Sequence, residues 1–187
     1  LDLREADWYA YDDNYGTDEE KHLIKYISEM VPRLKSKKYS EIYLVRNYKD
    51  FKLYDFVDGR ALEPDFVLFL RRKSPNSCYE NIQIFIEAKG AYLRANDRWK
   101  ADFLKQINHE SIVKFKLPSE RFVVWGMPFF TKGNRKDFDN AMADMIILPI
   151  YLQLKITRMV NHSVELRRVG STLMQEAVKI VEEELQP

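Results

Sequence analysis

Two apolar runs decide how this chain is read: Glu63-Pro64-Asp65-Phe66-Val67-Leu68-Phe69-Leu70 and Asn81-Ile82-Gln83-Ile84-Phe85-Ile86-Glu87-Ala88-Lys89-Gly90. Each is apolar enough to bury in a sheet, and each carries ionisable groups where the apolar run starts or stops. Pro64 has no N–H, so it belongs at the edge or first position of a strand. Asp65 then lies at the sheet's rim. Glu87 and Lys89 are two apart and point to the same side of their strand. Ala88 between them points the other way, but its carbonyl can still face the same spot. If the two strands are antiparallel neighbours, an acid, a second acid and a lysine meet.

Working outward, Gly16-Thr17-Asp18-Glu19-Glu20 starts a helix, with Thr17 as N-cap and Glu20 three residues on, as in a capping box. Glu20, Leu23, Ile24, Ile27 and Val31 share one face. Pro32 is expected to bend or end this helix. Glu41–Arg46 reads as a strand, and Phe51–Phe56 as a half-buried one, with Asn47–Asp50 a hairpin turn between them. Asp58-Gly59-Arg60 makes a second turn. Arg71-Arg72-Lys73-Ser74-Pro75-Asn76-Ser77 reads as a polar, basic loop. Asp97–His109 follows helical spacing, Arg121–Met127 is a buried strand, and Asp137–Asp144 a short helix. Before all of these, residues 1–15 form an acidic, aromatic arm whose rings pack on the domain.

After Ile146 the texture changes. Ile146–Val160 is apolar and β-like, Val164–Val169 can return as a hairpin, and Thr172–Leu185 is an amphipathic helix. The expected division is a domain over residues 1–145 and an extension over 146–187 packed on it. Helix, strands bearing the acids, helix, strand: the class is α/β, a central mixed β-sheet flanked by helices.

The bulk properties narrow the function. The 187 residues are 45% hydrophobic and 13% aromatic, ample for a core. Charged residues reach 32% yet balance to a net charge of +1, which argues against a free-standing binder driven by phosphate neutralisation. A catalytic module held on DNA by something else stays open. The single cysteine, Cys78, allows neither an internal disulfide nor a cysteine zinc cluster, so a reducing cytoplasm is the expected setting. No apolar run is long enough to span a membrane, and the start has no signal-peptide character. Beginning at Leu1, the chain reads as a fragment of something longer.

The chemistry centres on Asp65 and Glu87. Both are hard oxygen donors suited to Mg²⁺ or Mn²⁺, and the Ala88 carbonyl can add a ligand. Holding two carboxylates together is costly without a cation. Lys89 can orient the attacking water or offset charge on a phosphate. Glu20 is either the cap alone or a third acid. Arg71, Arg72, Lys73, Lys100 and Gln106 are candidate phosphate contacts. An ordinary structural account stays open, in which Asp65 caps a turn and Glu87 pairs with Lys89 or Lys100. His22, His109 and His162 are isolated.

Pro64-Asp65 followed by Glu87-Ala88-Lys89 resembles the motif of the PD-(D/E)xK nuclease superfamily. Further stretches are similar to the C-terminal endonuclease domain of type III restriction enzymes. They are Gly16-Thr17-x-Glu19-Glu20-Lys21, Glu41-Ile42-Tyr43-Leu44-x-Arg46-Asn47, Asp97-Arg98-Trp99-Lys100-x-x-Phe103-Leu104 and Gly126-Met127-Pro128-Phe129-Phe130. The resemblance covers roughly residues 11–142. It implies a restriction-endonuclease-like fold and Mg²⁺-dependent cleavage of double-stranded DNA (Mn²⁺ substituting), with Asp65, Glu87 and Lys89 as the catalytic set. It also implies a prokaryotic cytoplasm and two partners, a helicase motor in the parent chain and a modification methyltransferase. No phosphate-loop motif occurs here, so ATP would act only through that motor. The alternatives are a non-catalytic relative used for DNA binding or docking, and a repair-type nuclease of the same superfamily.

Overall fold

The computed structural model describes residues 2–55, 58–73, 79–89, 97–109, 113–117, 120–133 and 135–147. The expected hairpin and helix beyond residue 147, the turn at Gly90, and Cys78 lie outside these.

The first helix, α1, spans Asp18–Ser36. Its capping box is complete: Glu20 N–H donates to the Thr17 hydroxyl, and Thr17 N–H donates to the Glu20 carboxylate at 2.6 Å. Pro32 does not end the helix, contrary to expectation. It sits on the exposed side, while Val31 and Leu34 continue the buried face through the last turn. Leu23, Ile24, Ile27 and Leu34 are fully buried, each contributing about 2 kcal/mol by leaving water. That anchoring outweighs the backbone hydrogen bond the proline removes.

Strand β1 spans Tyr39–Arg46, β2 Leu53–Tyr54, β3 Ala61–Leu62, β4 Phe66–Lys73 and β5 Tyr79–Ile86. Helix α2 is Arg98–His109, followed by β6 (Val113–Leu117), β7 (Glu120–Gly126) and α3 (Lys136–Ile147). The main sheet has the order β1-β4-β5-β7-β6 and is mixed: only β5 and β7 run parallel, joined by the crossover through α2.

Three expectations change. The Asn47–Asp50 turn forms, with Asn47 Oδ1 accepting from Asp50 N–H, but it does not join paired strands. β1 instead pairs with β4, and of the expected Phe51–Phe56 strand, whose Phe56 lies outside the described residues, Leu53–Tyr54 forms β2, in a small separate ladder with β3. Burial of β4's two faces makes it the better partner for β1. Arg71, Arg72 and Lys73 are not in a loop; they are the last residues of β4. And Ile146 and Ile147 end α3 rather than opening a β-like run.

Alternation along the strands supplies two cores. Phe66, Leu68, Leu70, Ile82, Ile84 and Ile86 face α1 and α3. Val67 and Phe85 face the other way, onto Phe103, Leu104 and Ile107 of α2. The N-terminal arm is ordered as expected. Trp8 and Tyr9 are buried, and Leu44 N–H donates to the Trp8 carbonyl at 2.7 Å. Among the described residues, no helix is long and apolar enough to cross a membrane.

Candidate functional site

β4 and β5 pair antiparallel with Phe66 opposite Ile86. One step further puts Asp65 opposite Glu87, on the face that α2 covers. Two steps further puts Pro64 opposite Ala88. An antiparallel ladder would exchange both hydrogen bonds at that position, but Pro64 has no N–H to give. The ladder opens there. Ala88 N–H donates instead to Asp65 Oδ2 at 2.8 Å, and the Ala88 carbonyl has no ladder donor from Pro64. The proline thus does more than mark a strand start: it aims the Asp65 carboxylate at the opposite strand and spares a carbonyl beside it.

The backbone of the second acid is held from the other side. Residues after β7 run alongside Glu87 and Lys89, with Phe130 N–H donating to the Glu87 carbonyl (2.9 Å) and Lys89 N–H to the Phe130 carbonyl (2.8 Å). Glu87 is only 1% exposed. Its Oε1 accepts from both Lys89 Nζ and Lys100 Nζ, each at 3.0 Å. Its Oε2 is buried with no hydrogen-bond partner. An uncompensated carboxylate oxygen in the interior is expensive.

Lys100 reaches Glu87 because α2 sits directly on β7. A Cβ on Gly126 would collide with the Leu104 carbonyl oxygen, so only glycine permits this approach. Asn108 clamps the contact, donating to the Gly126 carbonyl at 2.7 Å and accepting from Gly126 N–H at 2.8 Å.

The electrostatics follow from the geometry. Burial, then the facing Glu87 charge, and more distantly Glu20, push the Asp65 carboxyl up to about 6; the Ala88 N–H and Lys89 oppose the rise without cancelling it. For Lys89, burial works against the charged form, but the hydrogen bond and charge of Glu87, with Asp97 and Asp65, hold the ammonium above its ordinary value.

The sequence-derived candidates separate into those the fold gathers and those it does not. Asp65, Glu87, Ala88 and Lys89 come together. Lys100 joins them as a partner of Glu87. Glu20 lies close enough to act on Asp65, but its carboxylate is committed: Arg46 Nη2 donates to both of its oxygens at 2.9 and 3.0 Å, besides the cap bond. Gly16 makes room for it, since a Cβ there would meet Glu20 Oε2. Arg71, Arg72 and Lys73 sit at the opposite end of β4, roughly 20 Å from Asp65 at strand rise. Arg71 pairs with Glu41 and Glu120, and Arg72 with Glu80. Gln106 lies on α2 off the face that Lys100 occupies. Arg46 is the residue that reading the sequence missed, though it stands in one of the quoted stretches.

A divalent cation fits this donor set in part. Two carboxylates and the Ala88 carbonyl suit a hard cation that keeps several waters, and Glu87 Oε2 has no hydrogen-bond donor. Yet among the described residues no three His, Cys, Asp or Glu side chains form a metal-holding group. The acids are a pair, and the lysines already answer one of them.

The class is therefore an α/β domain whose mixed sheet carries a buried Glu87, a partly buried Asp65 facing it and two lysines where a proline opens the ladder. The family model HI_1054_C, described as a C-terminal domain, matches residues 3–148, and the chain belongs to that family. A protein of Haemophilus influenzae, named only as uncharacterized, is 40% identical over 144 residues, covering 71% of this chain. The chain spans 30% of that relative's length. No solved structure matches.

Proposed function

We propose that this chain is the cleavage module of a divalent-metal-dependent endonuclease of the PD-(D/E)xK superfamily, acting on DNA phosphodiesters. The observation that carries the reading is the Asp65–Glu87 pair itself. Two carboxylates face one another in a largely buried place, one with a bare oxygen and the other pushed up to about 6. Such an arrangement costs stability and is the kind found where charge is needed for chemistry. The fold supports it: a central mixed sheet flanked by helices, with the acids at facing ends of β4 and β5, agrees with what the sequence resemblance implies.

In this reading Asp65, Glu87 and the Ala88 carbonyl would hold Mg²⁺ or Mn²⁺, and Glu20, tied to Arg46, would add a further negative charge near Asp65. The cation supplies an acidified water and charge neutralisation at the phosphate. Lys89 donates hydrogen bonds to the attacking water or a phosphate oxygen and offsets the charge that builds there. The Asp65–Ala88 bond fixes one acid against the strand end, and the Phe130 backbone bonds fix the other, so the site is preorganised. The type III restriction assignment rests on the sequence resemblance. With it come double-stranded DNA, a helicase motor, a methyltransferase and indirect dependence on ATP as proposed partners and cofactors.

The test is nicking of supercoiled plasmid with Mg²⁺ or Mn²⁺, comparing wild type with Lys89→Ala and Asp65→Asn. Cleavage that both variants lose by a hundredfold or more supports the reading, and mutant activity equal to wild type removes it. A second reading has its own observation: Glu87 Oε1 is already neutralised by two lysines, as a docking or DNA-binding relative would tolerate. That module would show no metal-dependent cutting and no change in metal response on losing Asp65.

A further inference from the structure

Lys100 is not part of the acid–lysine motif, yet it makes the same contact with Glu87 that Lys89 makes. Both ammonium groups stand 3.0 Å from one oxygen, Glu87 Oε1. Lys100 also lies 3.9 Å from Asp97, three residues earlier and just before α2, so it has a second carboxylate to turn to. Counting charges, the carboxylates of Asp65, Glu87 and Asp97 face the ammonium groups of Lys89 and Lys100. A divalent cation added to this set turns a net negative charge into a net positive one where a phosphodiester would bind. Both lysines cannot keep their grip on Oε1 while that oxygen also serves a cation, because like charges at such distances repel strongly in a poorly hydrated site. Lys89 is held just past β5 by its backbone bond to Phe130, two residues from Glu87. Lys100 comes from a separate element and has Asp97 as an alternative.

From this we infer that Lys100 is an internal competitor of the divalent cation: it occupies the positive place at Glu87 in the cation-free protein and yields it on loading, which sets how tightly the site binds metal. This rests on reading Asp65 and Glu87 as a cation site. Gly126 and Asn108 are the means by which the fold enforces it, since they seat α2 on β7 at the depth that lets Lys100 reach. Lys100 is here a positioning residue. Weak metal binding in the isolated chain follows, as does tightening by any event that draws Lys100 away, such as an incoming phosphate.

The experiment is isothermal titration of Mn²⁺ into wild type, Lys100→Met, Lys100→Arg and Glu87→Gln, with folding checked by circular dichroism. Lys100→Met is expected to bind Mn²⁺ about tenfold tighter or more, since a positive charge beside the cation has gone. Lys100→Arg should stay near wild type and Glu87→Gln should lose binding. A merely structural lysine would give weaker binding on removal, not tighter. Unchanged or weaker binding in Lys100→Met, with wild type binding measurably, overturns the role of Lys100 and leaves the metal reading standing. No binding in any of the four overturns both. Lys100→Gln, which keeps a donor for Glu87 without the charge, takes the place of Lys100→Met if the latter does not fold, with the same outcomes.

Discussion

Replacing Asp65 by Asn should make the protein more stable at neutral pH and leave it unchanged in acid. The carboxyl is pushed from 3.8 to about 6 in the folded chain, chiefly by burial and by Glu87. A folded state that holds its proton more tightly than the unfolded state is favoured below the unfolded value, and the advantage is lost as pH rises through the folded one. Roughly two pH units separate 3.8 from about 6, and at about 1.36 kcal/mol each the wild type gives up about 3 kcal/mol from strong acid to pH 7, most of it between pH 4 and pH 7. The asparagine side chain carries no charge to bury. Its Oδ1 can keep the bond from Ala88 N–H, and its amide can donate across the ladder toward the Glu87 carboxylate. For a chain of this length ~3 kcal/mol corresponds to roughly 6–12 °C in Tm. The assay is thermal unfolding followed by circular dichroism at pH 4 and pH 7, with EDTA present throughout. The expected result is a variant that melts higher at pH 7, with the gap closing at pH 4. A variant that melts at or below wild type at pH 7 would refute the argument. So would a gap of equal size at both pH values, because its source would not be ionisation.

Other outcomes follow from contacts already described. Gly126→Ala should force α2 off β7, losing about 2–4 kcal/mol through overpacking and the strained Asn108 clamp; a lower urea midpoint measures it. Gly16→Ala pushes on the Glu20 carboxylate and should weaken both the cap and the Arg46 pair by about 1–2 kcal/mol, read as an equilibrium denaturation difference from wild type. At the far end of the sheet, Glu80→Ala should destabilise by about 2 kcal/mol, because it strips a 1% exposed carboxylate from Arg72, 2.7 Å away, and leaves that half-buried guanidinium without it. On the proposed metal reading, Glu80→Ala should nevertheless leave Mn²⁺ affinity unchanged in calorimetry, since it stands at the opposite end of β4 and β5 from Asp65 and Glu87.

Much of the fold was legible because local signals and global packing agree. The capping box of Thr17 and Glu20 announced α1, and the apolar runs of β4, β5 and β7 announced buried strands. Reading failed where local pattern and tertiary pairing compete. Phe51–Phe56 alternates like a strand, but alternation does not say which partner is free, and β1 found a better one in β4. Arg71–Lys73 looks like a loop by polarity, yet Glu41 on β1, Glu80 on β5 and Glu120 on β7 pair with Arg71 and Arg72 and let β4 continue. Pro32 looks like a helix end, and exposure on the solvent side makes it tolerable. Strand β6 drew no notice, its Val113–Leu117 lying between an expected helix and an expected strand.

For the site, the sequence by itself determined the chemistry and one local geometry. Glu87 and Lys89 share a side because side chains in extended backbone alternate with a period of two. Pro64 cannot donate a hydrogen bond in any fold. What only the tertiary structure decided is which groups meet. The register between β4 and β5 sets Asp65 against Glu87, and a one-residue slip would have parted them. The depth at which α2 rests on Gly126 brings Lys100 to Glu87, while Arg71, Arg72 and Lys73 are carried to the other end of the sheet. These are long-range facts. They depend on how whole elements pack, and packing depends on the sum of many weak burial terms that no short stretch of sequence contains.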